Sequence, residues 1–277
     1  PKHAVYLADS DLANPDPELL EQAGLAEAPE GNAHQSEFTS DNAYIIGADE
    51  DFNPTGVDGE TDDADAFTAN PGDSTPEIPI GDTVTGLTRY VGRACPGDPT
   101  VPPANGATIA VVSRGLCTFT EKIAAIEAAT GYVAAIVVNR EGADGCGVFG
   151  MTVQGGIPAL SVPRSVGFDL FDRLGFDPAE CLAGSAELIP GVALDATGDE
   201  VSLRSFFDGW GYVHLFDNNN GKLQELDTFA IPEAMDPAMA EGFGDLSVHE
   251  VALSPTRNDL AYFSYYSGGL RVLKIVN

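Results

Sequence analysis

The densest apolar runs lie in the middle of the chain. Thr108 to Val112 (TIAVV) and Val133 to Val138 (VAAIVV) are short and continuous, the pattern of strands buried on both faces. Gly156 to Val162 (GIPALSV) is expected as a third strand. Between the first two, Thr118 and Glu121 form a T-x-x-E capping box ahead of Ile123 and Ile126, and Gly131 follows. That arrangement predicts a helix with a defined start and stop. Val166 to Leu174 is expected as a second helix. Helix and strand alternation predicts a small, partly parallel sheet.

The flanks have a different texture. Residues 8–33 read as a long surface loop with one short helical pattern at Pro17 to Ala23. His34 to Asp49 predicts two strands joined by the turn Ser40-Asp41-Asn42. Residues 49–83 are a Gly/Pro/Asp/Thr tract with little apolar content, expected as a linker or ion-bound loop outside the core. After residue 190, Gly211 to Phe216, a turn over Asp217 to Gly221, and Lys222 to Phe229 predict a hairpin. Residues 231–246 read as loop. Three more strands are expected at His249 to Ser254, Leu260 to Tyr265 and Leu270 to Val276.

The two flanks also repeat each other. His34, Phe38-Thr39-Ser40 and Tyr44 line up with His249, Leu253-Ser254-Pro255 and Tyr262, with a turn longer by two or three residues in the second copy. Repeats of short strands are the mark of a propeller or β array. The strands counted here fill only two or three blades, so a further part of the protein or another chain is expected to complete such a ring.

Charge follows the same division. The 277 residues carry a formal net charge of -30. Residues 1–84 hold 20 acids and one base, residues 85–190 hold 10 acids and 7 bases, and residues 191–277 hold 13 acids and 5 bases. A nearly neutral segment between acidic flanks predicts three parts: 1–84, an inserted domain at 85–190, and 191–277 continuing the first. A polyanion repels phosphate backbones and anionic lipid, so nucleic acid and membrane insertion are excluded as partners, and cations and proteins are favoured. No apolar stretch reaches the length of a spanning helix.

All four cysteines, Cys95, Cys117, Cys146 and Cys181, lie in the neutral segment. They form no C-x-x-C pair and have no His between them, which speaks against zinc. An even count in one segment predicts two disulfides and an oxidising, extracellular or cell-surface setting. Of the three connectivities, Cys95–Cys117 with Cys146–Cys181 closes the shortest loops.

The middle segment resembles the protease-associated (PA) domain. The matching residues are 109–140, with the R-G-x-C-x-F-x-x-K pattern at Arg114, Gly115, Cys117, Phe119 and Lys122, and 156–174 with G-I-P-A-L-S-V. PA domains are non-catalytic lids and protein-binding modules, so the resemblance implies a protein or peptide partner, or other subunits of a surface complex. Its contact surface is expected around Arg114, Gly115, Leu116, Phe119, Phe149 and Met151. The flanks, at 31–52 and 249–275, resemble secreted bacterial β-propellers of the LVIVD-repeat type. The expected fold is therefore mainly β with an α/β insertion: partial propeller blades plus a PA domain.

Catalytic signatures are missing. There is no G-x-S-x-G elbow, no H-E-x-x-H, no phosphate loop and no dinucleotide fingerprint. His34 and His249 occupy equivalent repeat positions, which points to a structural role such as a bond between neighbouring strands. His3 and His214 have no partner visible in sequence. The acidic run Asp49, Glu50, Asp51, Asn53 and Asp58 supplies the hard oxygens calcium prefers, and calcium is the cofactor expected. A solvated acidic loop is the plainer reading of the same run. The functional expectation is a non-enzymatic, secreted or cell-surface scaffold. The runner-up is the accessory, substrate-recruiting part of a secreted peptidase or other hydrolase whose catalytic portion lies outside this chain. A propeller hydrolase with axial calcium is the third reading.

Overall fold

The run Thr108 to Ser113 is buried at every position because its strand has an apolar neighbour on each face. Ile109 and Val111 join one core cluster, and Ala110 and Val112 join another. In the computed structural model, which describes residues 32–173, 176–219, 222–239 and 244–276, this strand sits in a closed seven-stranded barrel. The strands are β3 (Thr55–Thr61), β4 (Ala66–Pro71), β5 (Thr83–Tyr90), β6 (Thr108–Ser113), β7 (Tyr132–Val138), β8 (Ala159–Val162) and β9 (Thr197–Phe207). Their order around the barrel is β3-β4-β8-β7-β6-β5-β9. The neighbours β5–β6, β6–β7 and β7–β8 are parallel, as the alternation with helices predicts.

The first cluster draws on all seven strands, from Val57 and Ala69 to Ile136, Leu160, Val201 and Leu203. The second packs Ala135, Val137, Met151 and Val153 against Ile123 and Ile126 of α1 (Phe119–Ala129). Both halves of the expected capping box form at Thr118 and Glu121. The helix ends at Thr130, whose φ is 60°, followed by Gly131 at 87°. Two short helices, α2 (Arg164–Asp169) and α3 (Pro178–Ala183), complete this unit. Both disulfides form as expected, Cys95–Cys117 and Cys146–Cys181, with Cα separations of 5.7 and 5.4 Å.

Residues 49–83 correct the expectation of a loop. They supply β3 and β4, and Val57 and Ala69 are core residues. The apolar signal is faint because the strand uses glycine where a side chain would normally pack. Gly59 faces Phe67 across the ladder, and a Cβ there would sit 2.2 Å from the Phe67 ring. The aromatic ring fills the space that the glycine leaves. Closure by β3, β4 and β9 also enlarges the inserted unit: it spans Gly56–Phe206 as a compact body, wider than the 85–190 expected. The third strand begins at Ala159 rather than Gly156, and the second helix runs over Arg164–Asp169 rather than from Val166 to Leu174. The pattern at Pro17 to Ala23 lies outside the described residues.

Acids crowd one side of the barrel. Burial, reinforced by Asp172, Asp62, Asp63 and Asp65, pushes the Asp199 carboxyl up to about 6. Because the folded value lies above the unfolded one, its contribution to stability is complete near pH 4 and is lost as pH rises through 6. Asp199→Asn is therefore expected to stabilise the unit by about 1 kcal/mol at pH 8, allowing for the group's partial exposure, and to change nothing at pH 4. Urea unfolding at the two pH values checks this, and equal effects at both would refute it.

The second compact unit combines residues up to Thr55 with Phe207 onwards. One antiparallel sheet has the order β1-β2-β10-β11, from β1 (Asn32–Phe38), β2 (Tyr44–Glu50), β10 (Val213–Asn219) and β11 (Lys222–Phe229). The other is β12 (Val248–Leu253), β13 (Leu260–Tyr265) and β14 (Gly269–Lys274). The expected hairpin after Gly211 is present, but its first strand continues to Asn219, through most of the residues expected as turn. The stretch expected as loop holds two 3-10 turns, Pro232–Met235 and Pro237–Met239. Ile46, Ala48, Val213, Val248, Val251 and Phe263 pack between the sheets. Side chains of β1 complete the backbone of β12: Val251 N–H donates to Gln35 Oε1 at 2.7 Å and Leu253 N–H to Glu37 Oε2 at 2.9 Å.

The internal repeat is structural. Thr39 N–H donates to Tyr44 O in the first hairpin and Ser254 N–H to Leu260 O in the second, both at 3.0 Å. The Asn258 amide joins the two turns by donating to Asp41 Oδ2 at 2.7 Å.

Candidate functional site

The R-G-x-C-x-F-x-x-K segment leaves the end of β6 and turns into α1. Arg114 N–H donates to Val138 O, which anchors the turn to β7. The Arg114 guanidinium donates to Asn139 Oδ1 at 2.9 Å, pairs with Asp144 at 2.5 Å and lies 4.3 Å above the Phe149 ring. The hydrogen bond from Arg114 holds the Asp144 carboxyl below the usual range. Gly115 has a φ of 115°, and a Cβ there would meet the Glu187 carboxylate at 2.4 Å. Leu116 follows at a φ of 62° and is 68 % exposed. Cys117 then ties the turn to Cys95.

Of the six residues expected to meet a partner, the structure brings Arg114, Gly115 and Leu116 together at this turn. Phe119 stacks on Phe149 at 5.7 Å. Phe149 and Met151 correct the expectation: both are buried, 8 % and 1 % exposed, and belong to the cluster beneath α1. They support the turn from below. Lys122, the last residue of the pattern, is also interior. Its Nζ donates to Arg93 O at 2.8 Å, and burial pulls its pKa down to about 8.

The five residues expected to hold calcium do not form one cage. Asp49 pairs with His214 Nε2 at 3.3 Å. Asp51 Oδ1 accepts from Asn53 N–H at 2.9 Å, and Asn53 Oδ1 accepts from Thr55 Oγ1 at 2.7 Å. Asp58 stands on β3 of the barrel and lines a surface cleft with Glu60 and Arg204. The run reads as continuous in sequence, yet it crosses from the end of one strand to the middle of another, and alternate residues are turned to different neighbours.

Glu50 has the most distinctive surroundings of the five. Its Oε2 lies 3.3 Å from His34 Nδ1, and its Oε1 lies 3.6 Å from His249 Nε2. The two imidazole rings face each other at 4.4 Å between centroids. The Tyr266 hydroxyl donates to Glu50 Oε1, and that bond pushes the phenol up to about 12. His34 thus reaches the neighbouring strand β2, and His249 reaches it from the other sheet, both through Glu50, an acid of the run expected to hold calcium. His214 is buried separately between Asp49 and Glu225, 3.3 and 2.6 Å away. Burial alone would lower its pKa, and the bonds to Asp49 and Glu225 outweigh this, so the net direction is up.

Among the described residues no helix is long and apolar enough to cross a membrane. The two disulfides point to an extracellular setting. Among solved structures, a zinc aminopeptidase from Bacillus subtilis is 14% identical, covering 64% of this chain and 37% of its own, with a TM-score of 0.39. The subtilisin-like protease Apa1 from the Antarctic psychrotroph Pseudoalteromonas sp. AS-11 is 16% identical, covering 60% and 36%, with a TM-score of 0.33. The chain spans little more than a third of the length of either enzyme. No curated protein matches it. The family profile of the PA domain matches residues 80–170, the stretch that carries the Arg114 turn, α1 and the parallel strands, and this part of the chain is a protease-associated domain.

Proposed function

We propose that this is a non-catalytic protein of the extracellular medium or cell surface, in which the PA domain captures a protein or peptide partner at the Arg114–Cys117 turn. The sheets of the other unit are read as blades of an LVIVD-type propeller that serve as scaffold, with cations, calcium among them, solvating its acidic surface. The observation that carries the binding role is Leu116. A leucine at positive φ costs roughly 1–2 kcal/mol relative to ordinary backbone. It is also largely in water, where its side chain gains nothing from the fold. The neighbouring Cys95–Cys117 bond holds the backbone of the turn, and the side chain that the turn presents to water is placed for a contact made outside the protein.

The test follows from that cost. Asn tolerates the left-handed region better than Leu. Leu116→Asn is expected to raise the barrel's stability by about 0.5–1 kcal/mol and to weaken partner capture about tenfold. Capture is measured by pull-down from the producing organism's culture medium with full chain and variant side by side. Capture of the same proteins at the same level by both would sink the proposal. A captured hydrolase would move the protein from general scaffold to an accessory role.

A further inference from the structure

The repeat places chemistry at one spot. In β1, Ala33 pairs with Asp49 and Gln35 with Ala48, so the ladder skips His34. In β12, Val248 pairs with Tyr265 and Glu250 with Ser264, so the ladder skips His249 in the same way. Both histidines therefore sit at β-bulges, which re-aim a side chain at the cost of a regular ladder. The bulges face Ala48–Asp49 and Ser264–Tyr265, and Glu50, which pairs with Asn32, and Tyr266 hold equivalent places one residue beyond them on the partner strands. Each repeat thus contributes a bulged imidazole and one oxygen-bearing side chain, and all four converge.

We propose that His34, Glu50 and His249 form a binding site for a divalent first-row transition-metal ion, with Zn2+ as the probe. The potential ligand atoms of the three residues all lie within 4.8 Å of one another. Two imidazoles and one carboxylate form a borderline donor set, which suits zinc and its neighbours better than calcium. Glu50 is a buried acid, and among the described residues no Lys or Arg forms an ion pair with it. Its charge therefore faces two imidazoles that are neutral when they act as ligands. The hydroxyl of Tyr266 positions the carboxylate from outside, the usual role of a supporting hydrogen bond around a metal. His34 is exposed at the rim, so coordination positions remain open to water. The ion would clasp β1, β2 and β12, joining the two repeats across their shared edge. Only the PA domain enters the binding role proposed above, so this site stands independently of that reading.

Equilibrium dialysis of the intact chain with Zn2+ tests the site, with a large excess of Ca2+ present to occupy surface carboxylates. About one Zn2+ per chain is expected to resist the Ca2+, with at least about a hundredfold weaker binding in His34→Gln and in His249→Gln. Tyr266→Phe is expected to weaken it by about tenfold, the effect of a lost supporting bond. His34 lies at the surface, so His34→Gln should keep its circular dichroism spectrum and show no rise in melting temperature on adding Zn2+, whereas the wild type should show one. Zn2+ fully displaced by Ca2+, or held equally by the wild type and both histidine variants, would overturn the proposal.

Discussion

Arg164→Met is expected to destabilise the barrel unit by about 3–5 kcal/mol. Arg164 opens α2 and is 1 % exposed. Burial pulls its pKa down, though a guanidinium stays charged. It is tolerated because its fork is used almost completely. Nη1 donates to Asn139 O and Glu187 O, both at 3.4 Å, and Nη2 to Leu188 O at 3.0 Å, with Glu141 3.6 Å away. These carbonyls belong to the end of β7 and to the connection before β9, segments without a ladder of their own. Methionine would fill much of the volume, leave the three carbonyls without this donor and remove the cation beside Glu141, whose Oε2 still accepts from Ala186 N–H. Arg164→Met with Glu141→Gln should recover part of the loss, because one of the stranded groups is then uncharged. Denaturant unfolding followed on the barrel's own transition checks this. A loss under about 1 kcal/mol for Arg164→Met would show that water replaces the guanidinium freely.

What sequence alone revealed of this fold follows from how strongly each element signals. Strands β6 and β7 are unbroken apolar runs, and α1 begins with a reciprocal cap, so both are legible. The cysteine pairing is legible because loop length leaves few choices. Strands β3 and β4 are not, because Gly59 borrows its apolar cover from Phe67. The barrel is not legible either, since a closed sheet exists only once β3, β4 and β9 are counted. At the PA turn, residue types alone do not separate Leu116, which faces water, from Met151 and Lys122, which face inward. At the histidines, the recurrence was visible and the bulges were not. Those depend on ladder register, which a single sequence does not display. The acid that unites them was hidden inside a longer acidic run, where proximity in sequence suggested one ligand cage and the strand geometry divides it.

Removing the Cys95–Cys117 bond, as Cys95→Ala with Cys117→Ala, is expected to cost about 3 kcal/mol and to weaken partner capture before the barrel itself unfolds. The first part is chain entropy: the bond closes a loop with a sequence separation of 22, for which the loop-closure estimate is about 3 kcal/mol. The second part is local. Ala94 and Leu116 each precede a bonded cysteine, and both hold left-handed backbone, with φ of 52° and 62°. The crosslink at the next residue limits how far each can relax from that conformation. Lys122 Nζ lies 3.3 Å from Cys95 Sγ, so the same bond also packs against a buried cation. Without the crosslink, Leu116 is expected to relax toward ordinary backbone while Arg114 stays tied to Asp144 and Asn139. Proteolysis at the turn should then speed up at temperatures where the barrel's circular dichroism is unchanged, and capture should fall in parallel. Removing Cys146–Cys181 is the comparison: that bond fastens the loop carrying Asp144, the partner of Arg114, and not Leu116 itself, so capture should fall less than it does without Cys95–Cys117. If both double variants lose capture only on global unfolding, the Arg114 and Gly115 contacts hold the turn by themselves, and the disulfide serves the stability of the domain rather than the shape of its binding edge.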